Sequence, residues 1–164
     1  MAEAATKLFL FCGKPASGKS TLAHRLAGSD RTVVIAEDAW LAALFSDQMS
    51  AISDYVRCSG KLRDIMGPHI ISLLRAGTSV VLDYPANTLK ARAWMQGLAK
   101  SANAIGELHY LDVPDDTCKA RLRKRNDAGE HPFQLTDAQF DELCSHFVVP
   151  TDDEGFQIIV HHQA

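Results

Sequence analysis

The chain has no CxxC pair, no HExxH, no leader of the secretory kind and no apolar run near the ~20 residues that a membrane helix requires. Each absence removes a class of protein. Cysteine is scarce: Cys12, Cys58, Cys118 and Cys144 stand far apart among 164 residues, which excludes a disulfide frame and leads us to expect reduced thiols in a cytoplasmic protein without membrane contact. His161-His162, near the end, is expected to be solvated rather than metal-bound. Positive charge is also in short supply. A net charge of −3 means that the surface as a whole does not attract nucleic acid, so polyanion binding would need a local basic patch. With 46% hydrophobic and 23% charged residues, and no repeat, low-complexity tract or composition break, residues 1–164 are expected to form one domain with its own core.

What is present is an alternation of strand-like and helix-like segments, the pattern of a parallel sheet covered on both faces. Strands are predicted at Lys7–Cys12, Thr32–Ala36, Ser79–Asp83, Glu107–Leu111 and Gln157–Val160, with Cys12 a small core residue. Helices are predicted over Lys19–Ala27, from Asp38 to Phe45, through Leu62, Ile65, Met66, Ile70, Leu73 and Leu74, over Thr88–Lys100, from Pro114 to Asn126, and over Thr136–Phe147. Gly67-Pro68 should kink the third without ending it, and Thr88 is a natural cap for the fourth.

Between the first strand and first helix lies GKPASGKST, residues Gly13, Lys14, Pro15, Ala16, Ser17, Gly18, Lys19, Ser20 and Thr21, with the spacing GxxxxGK[ST]. A loop of this kind curls backbone N–H groups around phosphates, for which Gly13 and Gly18 must lack a Cβ. Lys19 neutralises the β/γ oxygens, the Ser20 hydroxyl is placed for Mg²⁺, and the helix that follows turns its positive end towards the anion.

Ligands of an open parallel sheet bind beyond the carboxyl ends of its strands, and acids stand there. Asp38 follows the second strand and can cap the next helix, or can accept or orient the proton of an attacking hydroxyl. Asp83 ends an apolar strand in the manner of a Mg²⁺ ligand, direct or through water, although it could instead be a turn residue or face an acceptor. The run Arg121-Leu122-Arg123-Lys124-Arg125 suits a helix C-terminus on dipole grounds alone. Yet Arg121 and Arg125 share one face, and the irregular stretch after them could be a flap that carries cations onto a transferring phosphoryl group.

GKPASGKSTLAHRLA, the acid after strand two, VVLDYPANTLKARAWM, RLRKRN before an irregular stretch, and the segment from Phe147 to Glu154-Gly155 together resemble the small phosphate-loop kinases of the AAA_33 group, similar to polynucleotide kinase, chloramphenicol phosphotransferase and zeta toxin kinases. The resemblance implies an α/β fold, the P-loop NTPase three-layer sandwich, with a five-stranded parallel sheet of order 2-3-1-4-5 and helices on both faces. It implies ATP and Mg²⁺ at Lys19 and Ser20, Asp38 as catalytic base, and Arg121 and Arg125 as arginines of a lid around 121–135. Polynucleotide kinases hold an acceptor phosphate with an arginine one turn after the base. Here that position is Leu41, beside Trp40, which points away from nucleic acid. The expected activity is transfer of the ATP γ-phosphate to a hydroxyl of a small molecule. The alternatives are a 5′-hydroxyl nucleic-acid kinase and a nucleotide-operated switch acting on a protein partner. No base-reading motif separates ATP from GTP.

Overall fold

Strand β1 (Lys7–Cys12) is KLFLFC, buried almost throughout, and its alternation divides the core in two. Leu8, Leu10 and Cys12 face one side of the sheet with Val80, Leu82 and Tyr84; Phe9 and Phe11 face the other with Val81 and Leu111. The computed structural model describes residues 5–131 and 133–163. Around β1 the chain runs α1 (Lys19–Leu26), β2 (Thr32–Ala36), α2 (Glu37–Phe45), α3 (Ile52–Arg75), β3 (Ser79–Pro85), α4 (Leu89–Ser101), β4 (Ile105–Asp112), α5 (Asp115–Ala128), α6 (Asp137–Ser145) and β5 (Gln157–His162). All strand pairs are parallel, in the order β2-β3-β1-β4-β5. Helices α2, α3 and α4 supply the core of the first face, and α1, α5 and α6 that of the second. This is the three-layer sandwich expected from the resemblance.

Element limits moved where local pattern carried no signal. Strands β3, β4 and β5 run on to Pro85, Asp112 and His162, each lengthened by pairing with a neighbour. Helix α3 starts at Ile52, well ahead of the apolar repeat that begins at Leu62, and passes through Pro68. Ile65, expected on its buried face, is 71% exposed. The Thr88 hydroxyl accepts a hydrogen bond from the Ala91 N–H at 3.1 Å, as its place before α4 predicts. Thr136 and Gln139 form a capping box that starts α6. His161 is not simply solvated: its Nε2 lies 2.9 Å from His109 Nδ1, and the two rings stack. No described helix is long and apolar enough to cross a membrane.

Candidate active site

The loop from Gly13 to Ser20 leaves β1 at the centre of the sheet and enters α1, and its two glycines are required for different reasons. Gly18 sits at φ 104°, where L side chains are strained. A Cβ on Gly13 would fall 2.5 Å from Ser17 Oγ and 3.3 Å from Leu111 Cβ, so that glycine answers to the protein's own packing. Ala16 also has positive φ, at 60°. The Gly13 N–H donates to Asn87 Oδ1 at 2.9 Å, which ties the loop to the turn after β3. Lys19 Nζ donates to the carbonyls of Gly13 (2.7 Å) and Lys14 (2.8 Å). Burial draws the Lys19 pKa below the ordinary lysine value, while the charge of Asp83 opposes that shift. Ser17 Oγ is buried without a partner. The Lys14 ammonium pairs instead with the Asp115 carboxylate on α5.

The Ser20 hydroxyl and the Asp83 carboxylate near the end of β3 both line the cleft beside the loop, close enough for the serine to favour the charged form of the acid, so the two form a pair of oxygen donors. Burial raises the Asp83 pKa, offset by the neighbouring Ser20 hydroxyl and by the charge of Lys19. Hard oxygen donors of this kind, beside a phosphate loop, fit Mg²⁺.

Asp38 owes its direction to its neighbour. Glu37, the first residue of α2, is fully buried, and its carboxylate accepts from Tyr55 Oη at 2.7 Å and from the Ser59 hydroxyl, with Arg63 Nε 3.6 Å away. One residue on, about 100° around the helix, Asp38 turns to the cleft. It is the second helical residue and not the cap; that position belongs to Ala36, which offers no side-chain bond. Asp38 Oδ2 lies 3.1 Å from His131 Nε2, and His131 Nδ1 lies 3.0 Å from the Phe133 carbonyl. Sequence reading passed over His131, Glu37 and Asn87.

Arg121 and Arg125 do share one face of α5, and both line the cleft together with Lys124, while Arg123 turns away to Asp137 and Leu122 is buried. Arg121 Nη1 donates to Gln163 Oε1 at 3.2 Å and to the Ser17 carbonyl at 3.4 Å. Arg125 Nε is buried with no partner, and burial lowers its pKa against the opposing charge of Asp38. Helix α5 ends at Gly129, φ 65°, after which the chain crosses towards Asp38. The cleft so enclosed measures about 940 Å³. It is lined by Pro15, Ala16, Gly18, Lys19, Ser20 and Thr21 of the loop and brings Asp38, Asp83, Arg121 and Arg125 to one space. Gly13, Lys14 and Ser17 belong to the loop but are not part of this lining.

A glycine-pinned loop between a buried central strand and a helix, its serine beside the acid of the adjoining strand, in a parallel sheet of order 2-3-1-4-5, defines a P-loop NTPase fold. The chain belongs to the AAA_33 family, described as an AAA domain, which matches residues 8–150. Among solved structures it is similar to a provisionally named kinase of Chloroflexus aurantiacus (19% identity, TM-score 0.78, covering 96% of this chain and 85% of that one). It is also similar to a chain of the Pnkp1/Rnl/Hen1 RNA repair complex (20% identity, TM-score 0.67, 88% of this chain and 45% of that one). A third is the Mycobacterium tuberculosis APS kinase CysC, solved with AMPPNP and APS (21% identity, TM-score 0.55, 86% and 96%). No curated protein matches the sequence. Family and fold together place the chain among AAA_33 domains of P-loop architecture.

Proposed function

We propose that the protein is an ATP-dependent kinase that transfers the γ-phosphoryl group to a hydroxyl of a small molecule. The convergence of Lys19, the Ser20–Asp83 pair, Asp38 and two α5 arginines on one cleft carries this reading. Lys19 exchanges its two loop carbonyls for β/γ-phosphate oxygens, and the N-terminus of α1 adds its dipole. Ser20 and Asp83 would hold Mg²⁺, which neutralises charge on the phosphate oxygens when bound. Asp38 accepts the acceptor's proton as the new O–P bond forms; the bond from Pγ to the bridging oxygen breaks, and ADP leaves with its electron pair. Arg121 and Arg125 stabilise charge on the equatorial oxygens. The segment 121–135 is a lid in this scheme, with His131 as its contact on the base.

The RNA-repair neighbour keeps a nucleic-acid acceptor in view, but Leu41, one turn after Asp38, is fully buried in the core and offers nothing to an acceptor phosphate. Asn fits the same helix position as Asp and cannot serve as a comparable base. Asp38→Asn should therefore fold, bind MgATP by calorimetric titration, and lose labelled-phosphate transfer by about 10²–10⁴-fold. Transfer at the wild-type rate would remove Asp38 from the mechanism.

A further inference from the structure

The cleft is electrically divided. Among the described residues its lysines and arginines, Lys19, Arg25, Arg121, Lys124 and Arg125, all stand on α1 and α5, beside the phosphate loop. The opposite wall is built from the α2–α3 region and the crossing segment after Gly129. It contributes Met49, Ile52, Tyr55 and Phe133, with the acids Asp38 and Glu130, and no lysine or arginine. The arginines nearest to it in sequence are engaged elsewhere. Arg57 donates to Asp54 Oδ1 and the Gln48 carbonyl, while Arg63 lies against Glu37 and over the rings of Tyr84 and Trp94. His131 faces Asp38.

This wall is also aromatic. The Phe133 and Tyr55 rings meet edge to face, centroids 6.1 Å apart at 78°, and both rings pack against the core under the sheet's first face. An acceptor carrying a phosphate or carboxylate would there lose water to carbon and meet two carboxylates, with no lysine or arginine on this wall and its one imidazole, His131, already held by Asp38. A neutral body would instead cover apolar surface. Resting on the kinase reading above, we infer that the acceptor is an uncharged hydroxyl compound with an aromatic or otherwise apolar body. Its hydroxyl sits at Asp38, and its body lies against the Tyr55–Phe133 pair. The hydroxyl oxygen forms the bond to Pγ, its proton passes to Asp38, and ADP departs.

The test uses the whole protein with Mg²⁺ and γ-labelled ATP, and offers styrene glycol and its ring-substituted relatives against their carboxylate counterparts, the mandelates, and against glycerophosphate and a 5′-hydroxyl oligonucleotide. Label is expected on the neutral diols with kcat/KM at least about tenfold above any anionic acceptor. Phe133→Ala should raise KM for the diol about tenfold while leaving KM for MgATP unchanged. Ile52→Arg, which plants a cation on the apolar wall, should shift preference towards the mandelates, an effect that a merely structural role for Ile52 would not produce. A better rate on mandelate, glycerophosphate or oligonucleotide, or an Ile52→Arg variant with an unmoved preference ratio, overturns the acceptor class and leaves the kinase standing. If no hydroxyl compound is labelled and ADP forms equally with and without them, the kinase reading itself falls.

Discussion

At Arg125 the guanidinium Nε is buried without a protein partner, whereas Arg121, one turn earlier on the same face, already donates to Gln163 and to the Ser17 carbonyl. A cation with unused donors next to a phosphate loop is suited to charge that develops only during transfer. Arg125→Ala should lower kcat by about 10²-fold or more while MgATP affinity changes little; Arg121→Ala should cost less. Steady-state kinetics beside calorimetric titration separates the two effects, and equal losses in kcat and in MgATP binding would make Arg125 a ground-state contact. At this scale the sequence disclosed what local spacing encodes: the loop, the acids at strand ends and the i,i+4 arginines. It did not disclose His131 on Asp38, Asn87 on Gly13 or Glu37 beneath Asp38, since each is a tertiary contact made by a residue type that is ordinary on any surface. Gly13 was legible as a glycine, but its reason, the nearness of Ser17 and Leu111, was not.

Helix α4 is fastened to the C-terminal segment by Arg92, a fully buried side chain. Its Nε and Nη2 donate to the two Glu154 carboxylate oxygens at 2.6 and 3.0 Å, and its Nη1 to the carbonyls of Ala86 and Val148 at 3.0 and 2.9 Å. Removing one partner strands the other's charge in the interior, so Arg92→Ala should destabilise by about 3–5 kcal/mol in urea unfolding; a loss under about 1 kcal/mol would mean that solvent reaches the pair. Here too the pattern was half legible. Thr88, Thr136 and Gln139 announced the starts of α4 and α6 because capping is local. The first turns of α3 were silent because its buried face there is made of Cys58 and Ser59, too small and too polar to register as an apolar stripe, while Ile65 mimicked one and lies in solvent.

At the scale of the whole molecule, a polar chain runs over the second face from β1 through β4 to β5. Lys7 Nζ pairs with Glu107 Oε2 at 2.8 Å, Glu107 Oε1 lies 2.9 Å from His109 Nε2, and His109 Nδ1 lies 2.9 Å from His161. Burial lowers the His109 pKa from 6.5, with His161 and Lys7 acting in the same sense and Glu107 against. The unfolded chain therefore takes up a proton first as pH falls, and stability should decrease with acidification below about pH 6.5. His109→Gln should flatten that dependence; Tm measured from about pH 7.5 to about pH 5.5 tests it, and an unchanged slope would assign the effect to other groups. Sheet order was legible only through the family resemblance, because register joins segments far apart in the chain, and periodicity within a strand says nothing about its neighbours.

That distance bears on how the molecule comes into being. The central strand β1 is made first, yet its partners are Val80 for Leu8 and Ile105 for Lys7, and none of the sheet's pairings is a hairpin. On the ribosome the apolar stretch KLFLFC must wait for about half of the chain before its first strand partner, β3, is synthesised, and longer for β4 on its other edge. Newly made protein therefore passes through a period in which its most hydrophobic strand is open to chaperones and to other nascent copies.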